Sequence, residues 1–318
     1  MRRRRLALAL ALALPQLVLA TEWQVSRYPS SGRTLVEVRH RPEDRHQVDK
    51  VVRLVEHARA RFSALADTNL ATTIRVVAAG SRRQYEEITE GMLPEWSSAA
   101  AIPAERTIFV ALDSYGKPLE FTIPHEVSHV LLGQIARYIV PRWFDEGLAM
   151  YVAGEWTTHD SFLLARGAIF EGLIPLTEID DVLGFNKDLA WLAYVQSFAA
   201  VKWLEQTWGE SGVRILIRST EHMHFDRAMQ VATDLNAAEF EKLWYERNRR
   251  GYALTALADD MWIWTILIPA LFAVALVVRW YKNRRTMERW RREDPWHDDD
   301  DDDDEPDEPL DERIANTY

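Results

Sequence analysis

Two histidines four positions apart, His125 and His129, with Glu126 directly after the first, stand in the apolar run Pro124–Leu132. On a helix such residues share a face, so both imidazoles can hold one metal ion. Zinc suits imidazole nitrogen, and its catalytic sites take three protein ligands while keeping one position open. Glu126 falls beside that open position rather than on the metal, where it can take a proton from water held there. The same five-residue pattern also arises in proteins that bind no metal, so a third ligand decides its meaning. The segment Pro141–Tyr151 reads as a second helix with the acidic pair Asp145–Glu146 near its start, and either carboxylate can face the metal. Sixteen residues separate His129 from Glu146. That is enough for the first helix to end, turn near Gly133 or Pro141, and bring the second alongside.

HEVSH followed by PRWFDEGLAMY resembles the peptidase MA-like domains of the gluzincin zinc metallopeptidases, in which the third ligand comes from an EG pair. The resemblance covers roughly residues 70–245 and is concentrated in these two segments. It implies that His125, His129 and Glu146 are the zinc ligands and that Glu126 is the general base. Asp145 is then left to orient a ligand histidine or, as expected here, simply to open its helix. The linker is shorter than in the thermolysin-like and aminopeptidase members. Pro124 is expected in the opening turn of the first helix, where proline is tolerated. Ala193–Ser197 also resembles a recurrent family segment, which implies that Tyr194 donates a hydrogen bond to the oxyanion of a tetrahedral intermediate; packing of its ring is the competing role.

Several elements must position these residues. Val48, Val51, Val52, Val55, Ala58, Phe62 and Leu65 recur at three- and four-residue spacing, which predicts a helix over Glu43–Ala66 with one buried face and with His46 and His57 facing solvent. Thr34–Arg39, Ile74–Ala79 and Thr107–Leu112 read as strands. The resemblance to gluzincins implies that the last lines the cleft, where an exposed edge can accept an extended peptide. Trp96–Ile102 reads as a loop overhanging the site. Beyond Gly154 the pattern is helical, with an apolar stripe through Leu189–Leu204. His222 and His224, two apart, would share a face only on a strand and lack the carboxylate cluster that a second metal site needs, and no pattern supports His159. The fold class expected is α+β: a small mixed sheet, metal-binding helices and a mainly helical C-terminal part.

The 318 residues, 47% of them hydrophobic, suffice for one sizeable core between two ends that do not read as globular. Residues 1–20, four arginines and an apolar run, read as a cleaved secretory signal. Met261–Val278 has eighteen residues without a charge, about 27 Å of helix, bounded by Trp262, Trp264, Trp280 and Tyr281, and reads as one membrane span. Arg279, Lys282, Arg284, Arg285, Arg289, Arg291 and Arg292 follow it and assign that side to the cytoplasm. The domain over residues 21–255 is then expected outside the cytoplasm, in the periplasm of a bacterium, close to the membrane on the short connection Arg247–Asp260. There is no cysteine, which excludes disulfides, thiolate metal sites and cysteine nucleophiles.

The formal charge is −11. The last forty residues hold 8 basic and 15 acidic side chains, and the acidic run from Asp298 reads as a disordered, solvated tail that a partner with a basic patch can bind. An acidic exterior gives no footprint for nucleic acid. The expected activity is hydrolysis of peptide bonds in a peptide or protein substrate by a membrane-anchored zinc enzyme. A non-catalytic module that uses zinc to hold a peptide or partner is the alternative, although it has no chemical need for Glu126; a membrane-tethered assembly factor with an incidental motif is a third.

Overall fold

The computed structural model describes residues 23–29, 35–94, 97–113, 117–167, 172–184, 187–247 and 261–293. The expected signal segment, most of the connection Arg247–Asp260 and the acidic run from Asp298 lie outside them. The chain divides into two compact units, Met1–Asp260 and Met261–Tyr318.

In the first unit a five-stranded sheet runs in the order β1–β2–β3–β5–β4. Its strands are β1 (Gln24–Pro29), β2 (Leu35–His40), β3 (Ile74–Ala79), β4 (Ala99–Ile102) and β5 (Thr107–Ala111). β2, β3 and β5 are parallel, while β1 and β4 pair antiparallel at the two edges. The sheet is therefore mixed and small, as expected. β5 is interior, not an edge, and the stretch expected to be a loop contains the strand that covers it. Only Ser97 and Ser98 of its described residues are irregular.

Helix α1 (Arg45–Ala66) follows its apolar spacing, burying Val48, Val51, Val55, Ala58, Phe62 and Leu65 while His46 and His57 stay exposed. It packs on β2 and on α3 (Leu119–Ile135), the helix of the two histidines. Short α2 (Arg82–Ile88) covers the opposite face of the sheet, where Ala79, Tyr85, Phe109 and Ala111 form a second small core.

α3 starts five residues earlier than expected of its proline, so Pro124 is inside the helix. The start is set by the Pro118 carbonyl, which accepts from the Phe121 and Thr122 amides at 3.0 and 3.1 Å and from the Thr122 hydroxyl at 3.1 Å. An interior proline forfeits one helical hydrogen bond. Burial of Leu119, Ile123, Val127 and Leu131, a ridge at four-residue spacing, offsets that loss. Gly133 likewise lies inside α3, and the chain turns over residues 136–141.

α4 (Arg142–Ala153) then runs beside α3 and packs on α6 (Lys187–Ser219), a long helix broken at Gly209; α5 (Thr158–Arg166) lies between them in sequence. α7 (Phe225–Thr233) and α8 (Ala237–Arg247) complete the unit, and in its aromatic core Trp143 stacks on Phe240 and meets Phe225 edge-on. Gly147 makes the close approach of α4 to α6 possible: a Cβ there would meet the Ser197 carbonyl oxygen at 2.2 Å.

The second unit contains α9 (Met261–Glu293), whose stretch Trp264–Met287 is exposed, long and apolar enough to cross a membrane, with Pro269 inside it.

Because the atom opposing a side chain at 147 is backbone, Gly147→Ala has to push α4 off α6. A cost of about 1–3 kcal/mol is expected, read as a fall of several degrees in the melting midpoint by circular dichroism. An unchanged midpoint would show that the two helices do not need this contact.

Candidate metal centre

α3 presents His125 and His129 on one face, a helical turn apart, with ring centroids 4.8 Å from each other and planes at 74°. α4 brings Glu146 against them. Its Oε2 lies 3.2 Å from His125 Nε2 and 3.4 Å from His129 Nε2. The three donor atoms fall within 4.8 Å of one another, and no other group of this kind occurs among the described residues. His159 and His222 are exposed, and His224 packs its ring on Tyr138 instead. Two imidazole nitrogens and one carboxylate oxygen converging from two helices are the donor set of a three-ligand site with an open position, so the residues fit a zinc ion.

Each histidine has a carboxylate behind it. His129 Nδ1 donates to Asp145 Oδ1 at 2.6 Å, so Asp145 fixes the ring of His129 besides standing in the first turn of α4. His125 Nδ1 lies 3.2 Å from Glu155 Oε1, close enough for an ion pair though without hydrogen-bond alignment. Glu155 is itself buried and held by the Lys117 ammonium. It follows Gly154, which ends α4 at a φ of +72° and turns the chain back toward the histidine. On the other side, Arg142 Nη2 is 2.9 Å from Glu146 Oε1, and Glu146 and Tyr194 of α6 both favour the charged guanidinium against its burial.

The electrostatics follow from these neighbours. Burial opposes a charged His125, but Glu155 and Glu146 outweigh it and push its pKa up to about 9. His129 is likewise driven well above its ordinary value, with Asp145 and Glu146 overcoming burial. Burial also works against an ionised Glu146, yet His129, His125 and Arg142 hold its carboxyl well below the usual range. Glu126, 9% exposed, is shifted upward by burial, which makes it a stronger proton acceptor than a surface glutamate. Burial and the charge of Glu146 raise Tyr194, keeping its hydroxyl protonated at neutral pH.

All five residues singled out in the sequence, His125, Glu126, His129, Glu146 and Tyr194, line one cleft of about 600 Å³. Its far wall is β4 with Leu93, Pro94 and Phe109. Lys117, Arg142 and Glu155 line it too and were not foreseen. Arg142 was accessible from helical spacing, standing four residues before Glu146. Lys117 and Glu155 sit in irregular segments, and only the fold brings them in.

Residues 58–248, more than half of the chain, match the model of the peptidase MA superfamily. No curated protein matches the chain.

Without metal, His125 is protonated more readily in the folded chain, at about 9, than in the unfolded one at about 6.5. Its contribution to stability is then complete below pH ~6.5 and disappears as pH rises through about 9. Melts of the metal-free protein should fall across that window. Saturating zinc, which needs neutral imidazole, should remove the fall. A metal-free midpoint that climbs from pH 6.5 to 9 would contradict this account of the cluster.

Proposed function

The chain belongs to the peptidase MA superfamily, and from that membership we propose that it is a zinc metallopeptidase, with Glu126 as general base and α9 as its membrane anchor. The observation that carries the proposal is the meeting of Glu146 Oε2 with His125 Nε2 and His129 Nε2, beside the buried carboxylate of Glu126. A zinc ion held by these three residues would supply a Lewis acid that polarises the scissile carbonyl and acidifies water. Glu126 takes the proton of the attacking water and returns it to the leaving amine. Tyr194 donates its hydroxyl to the oxygen on which negative charge develops.

The substrate is an extended peptide or protein segment laid along β4. In an antiparallel ladder the backbone groups of alternate residues point to the partner strand. Ala111 N donates to Ser98 O at 2.9 Å, so by register Ser98, Ala100 and Ile102 face β5, and Ala99 and Ala101 turn their N–H and C=O groups to the free edge. An added strand pairs with those groups, and the apolar wall of Leu93 and Phe109 favours apolar side chains.

The anchor reading rests on the length and apolar character of α9, and the cations from Arg279 onward support a topology with the C-terminal end in the cytoplasm and the catalytic unit outside.

Glu126→Gln keeps the volume of the side chain but not the base. It should retain stoichiometric zinc by metal analysis and lose about 10²–10⁴-fold in kcat on an unstructured protein substrate. Full turnover by this variant removes Glu126 from the chemistry.

Ala101→Pro deletes one edge donor that the sheet itself does not use. It should raise KM about 2–10-fold, one net hydrogen bond, with zinc affinity unchanged. An unaltered KM places the substrate elsewhere.

A further inference from the structure

The two helices that carry His125, His129 and Glu146 are tied together near both ends. At one, His129 Nδ1 of α3 donates to Asp145 Oδ1 in the first turn of α4. At the other, the ammonium of Lys117, two residues ahead of α3, pairs with Oε2 of Glu155, two residues past the end of α4. The Glu155 side chain is 3% exposed, a depth at which a carboxylate must be paired. Its other oxygen, Oε1, stands 3.2 Å from His125 Nδ1. Both atoms are buried and neither hydrogen-bonds any other group among the described residues, so each has only the other to turn to. Across the same ring, His125 Nε2 lies 3.2 Å from Glu146 Oε2. Lys117 is backed in turn by Trp191 of α6, whose ring centroid is 5.8 Å from Nζ.

We propose that Lys117 and Glu155 are a pair of positioning residues: together they clasp the start of α3 to the end of α4 and hold the His125 ring with Nε2 directed at Glu146. This rests on the metallopeptidase reading, in which that nitrogen is a zinc ligand. A neutral imidazole has one N–H and one lone pair, so an acceptor at Nδ1 leaves the lone pair at Nε2. Glu155 enforces that choice only while it is itself fixed, and the ammonium of Lys117 is what fixes it. The lysine therefore acts through the glutamate. Action through space by its charge alone has the opposite sign: a cation beside a metal site opposes the metal, so its loss would tighten zinc binding.

The full-length chain in detergent is compared as wild type, Lys117→Met, Lys117→Arg, Glu155→Gln and the double variant Lys117→Met/Glu155→Gln, with folding checked by circular dichroism. Zinc affinity is read by chelator competition, ligand geometry by the visible spectrum of the Co²⁺-substituted protein, and turnover on an unstructured protein.

Glu155→Gln should weaken zinc binding about 10–100-fold and alter the cobalt spectrum. Lys117→Met should weaken zinc binding by a smaller factor and lower kcat more than it raises KM, and Lys117→Arg should restore most of both. In the double variant zinc affinity should be no lower than in Glu155→Gln alone, because the lysine acts through the glutamate. Tighter zinc binding by Lys117→Met overturns the inference, as does a raised KM at wild-type zinc affinity, which would make Lys117 a substrate contact instead. Should Lys117→Met not fold, Glu155→Gln carries the test, and wild-type affinity with an unchanged cobalt spectrum in that variant overturns the inference as well. If the wild-type chain takes up no zinc, the metallopeptidase reading fails and this inference falls with it. Zinc uptake and turnover by the wild type beside indifferent variants refute the clasp alone.

Discussion

A single carboxylate oxygen, Glu146 Oε2, shared between two imidazoles from a neighbouring helix, is the contact on which the molecule's organisation depends. Bringing a charged group to that point costs free energy, since Glu146 is 3% exposed and a buried charge is tolerated only when paired and hydrogen-bonded. Both oxygens of Glu146 are paired. His125 and His129 take one oxygen, Arg142 takes the other, and Asp145 and Glu155 balance the histidines in turn. Removing one member leaves another buried charge uncompensated, so the cluster acts as a unit.

The fold supplies the geometry through two close contacts of helices. α3 is pinned by its apolar ridge against α1 and the sheet, which fixes the imidazoles. α4 is held to α6 where Gly147 lacks a side chain, which fixes Glu146 and brings Tyr194 across the cleft. The glycine of the EG pair thus has a packing reason. It follows Glu146 directly because Glu146 faces the histidines of α3 while the next residue, a hundred degrees around the helix, faces α6. Without metal, protons on His125 and His129 serve as the cations of this carboxylate-rich cluster, and under the proposed function a divalent ion would replace them.

What the sequence made legible and what it did not divide along physical lines. β3 could be read to the residue and α1 nearly so, because their burial patterns are written in local periodicity. His125, His129 and Glu146 were found because helical spacing and two short motifs place them on facing helices. β4 was missed: three alanines and an isoleucine carry little strand propensity, and the segment is extended because β5 needs a partner on that side. The same tertiary effect misplaced Pro124, whose helix is nucleated earlier by Pro118 and Thr122 and kept by packing. Glu155 and Lys117 had no local signal at all, since a carboxylate behind His125 is defined only by where Gly154 sends the chain.

The central claim is that His125, His129 and Glu146 hold one zinc ion through two nitrogens and one oxygen. X-ray absorption at the zinc edge of the purified, zinc-loaded chain addresses it most directly. The expected first shell is two imidazole nitrogens and light oxygen donors at about 2.0–2.2 Å, with one zinc per chain. A shell of oxygens without imidazole scattering, or zinc far below one per chain, would contradict it.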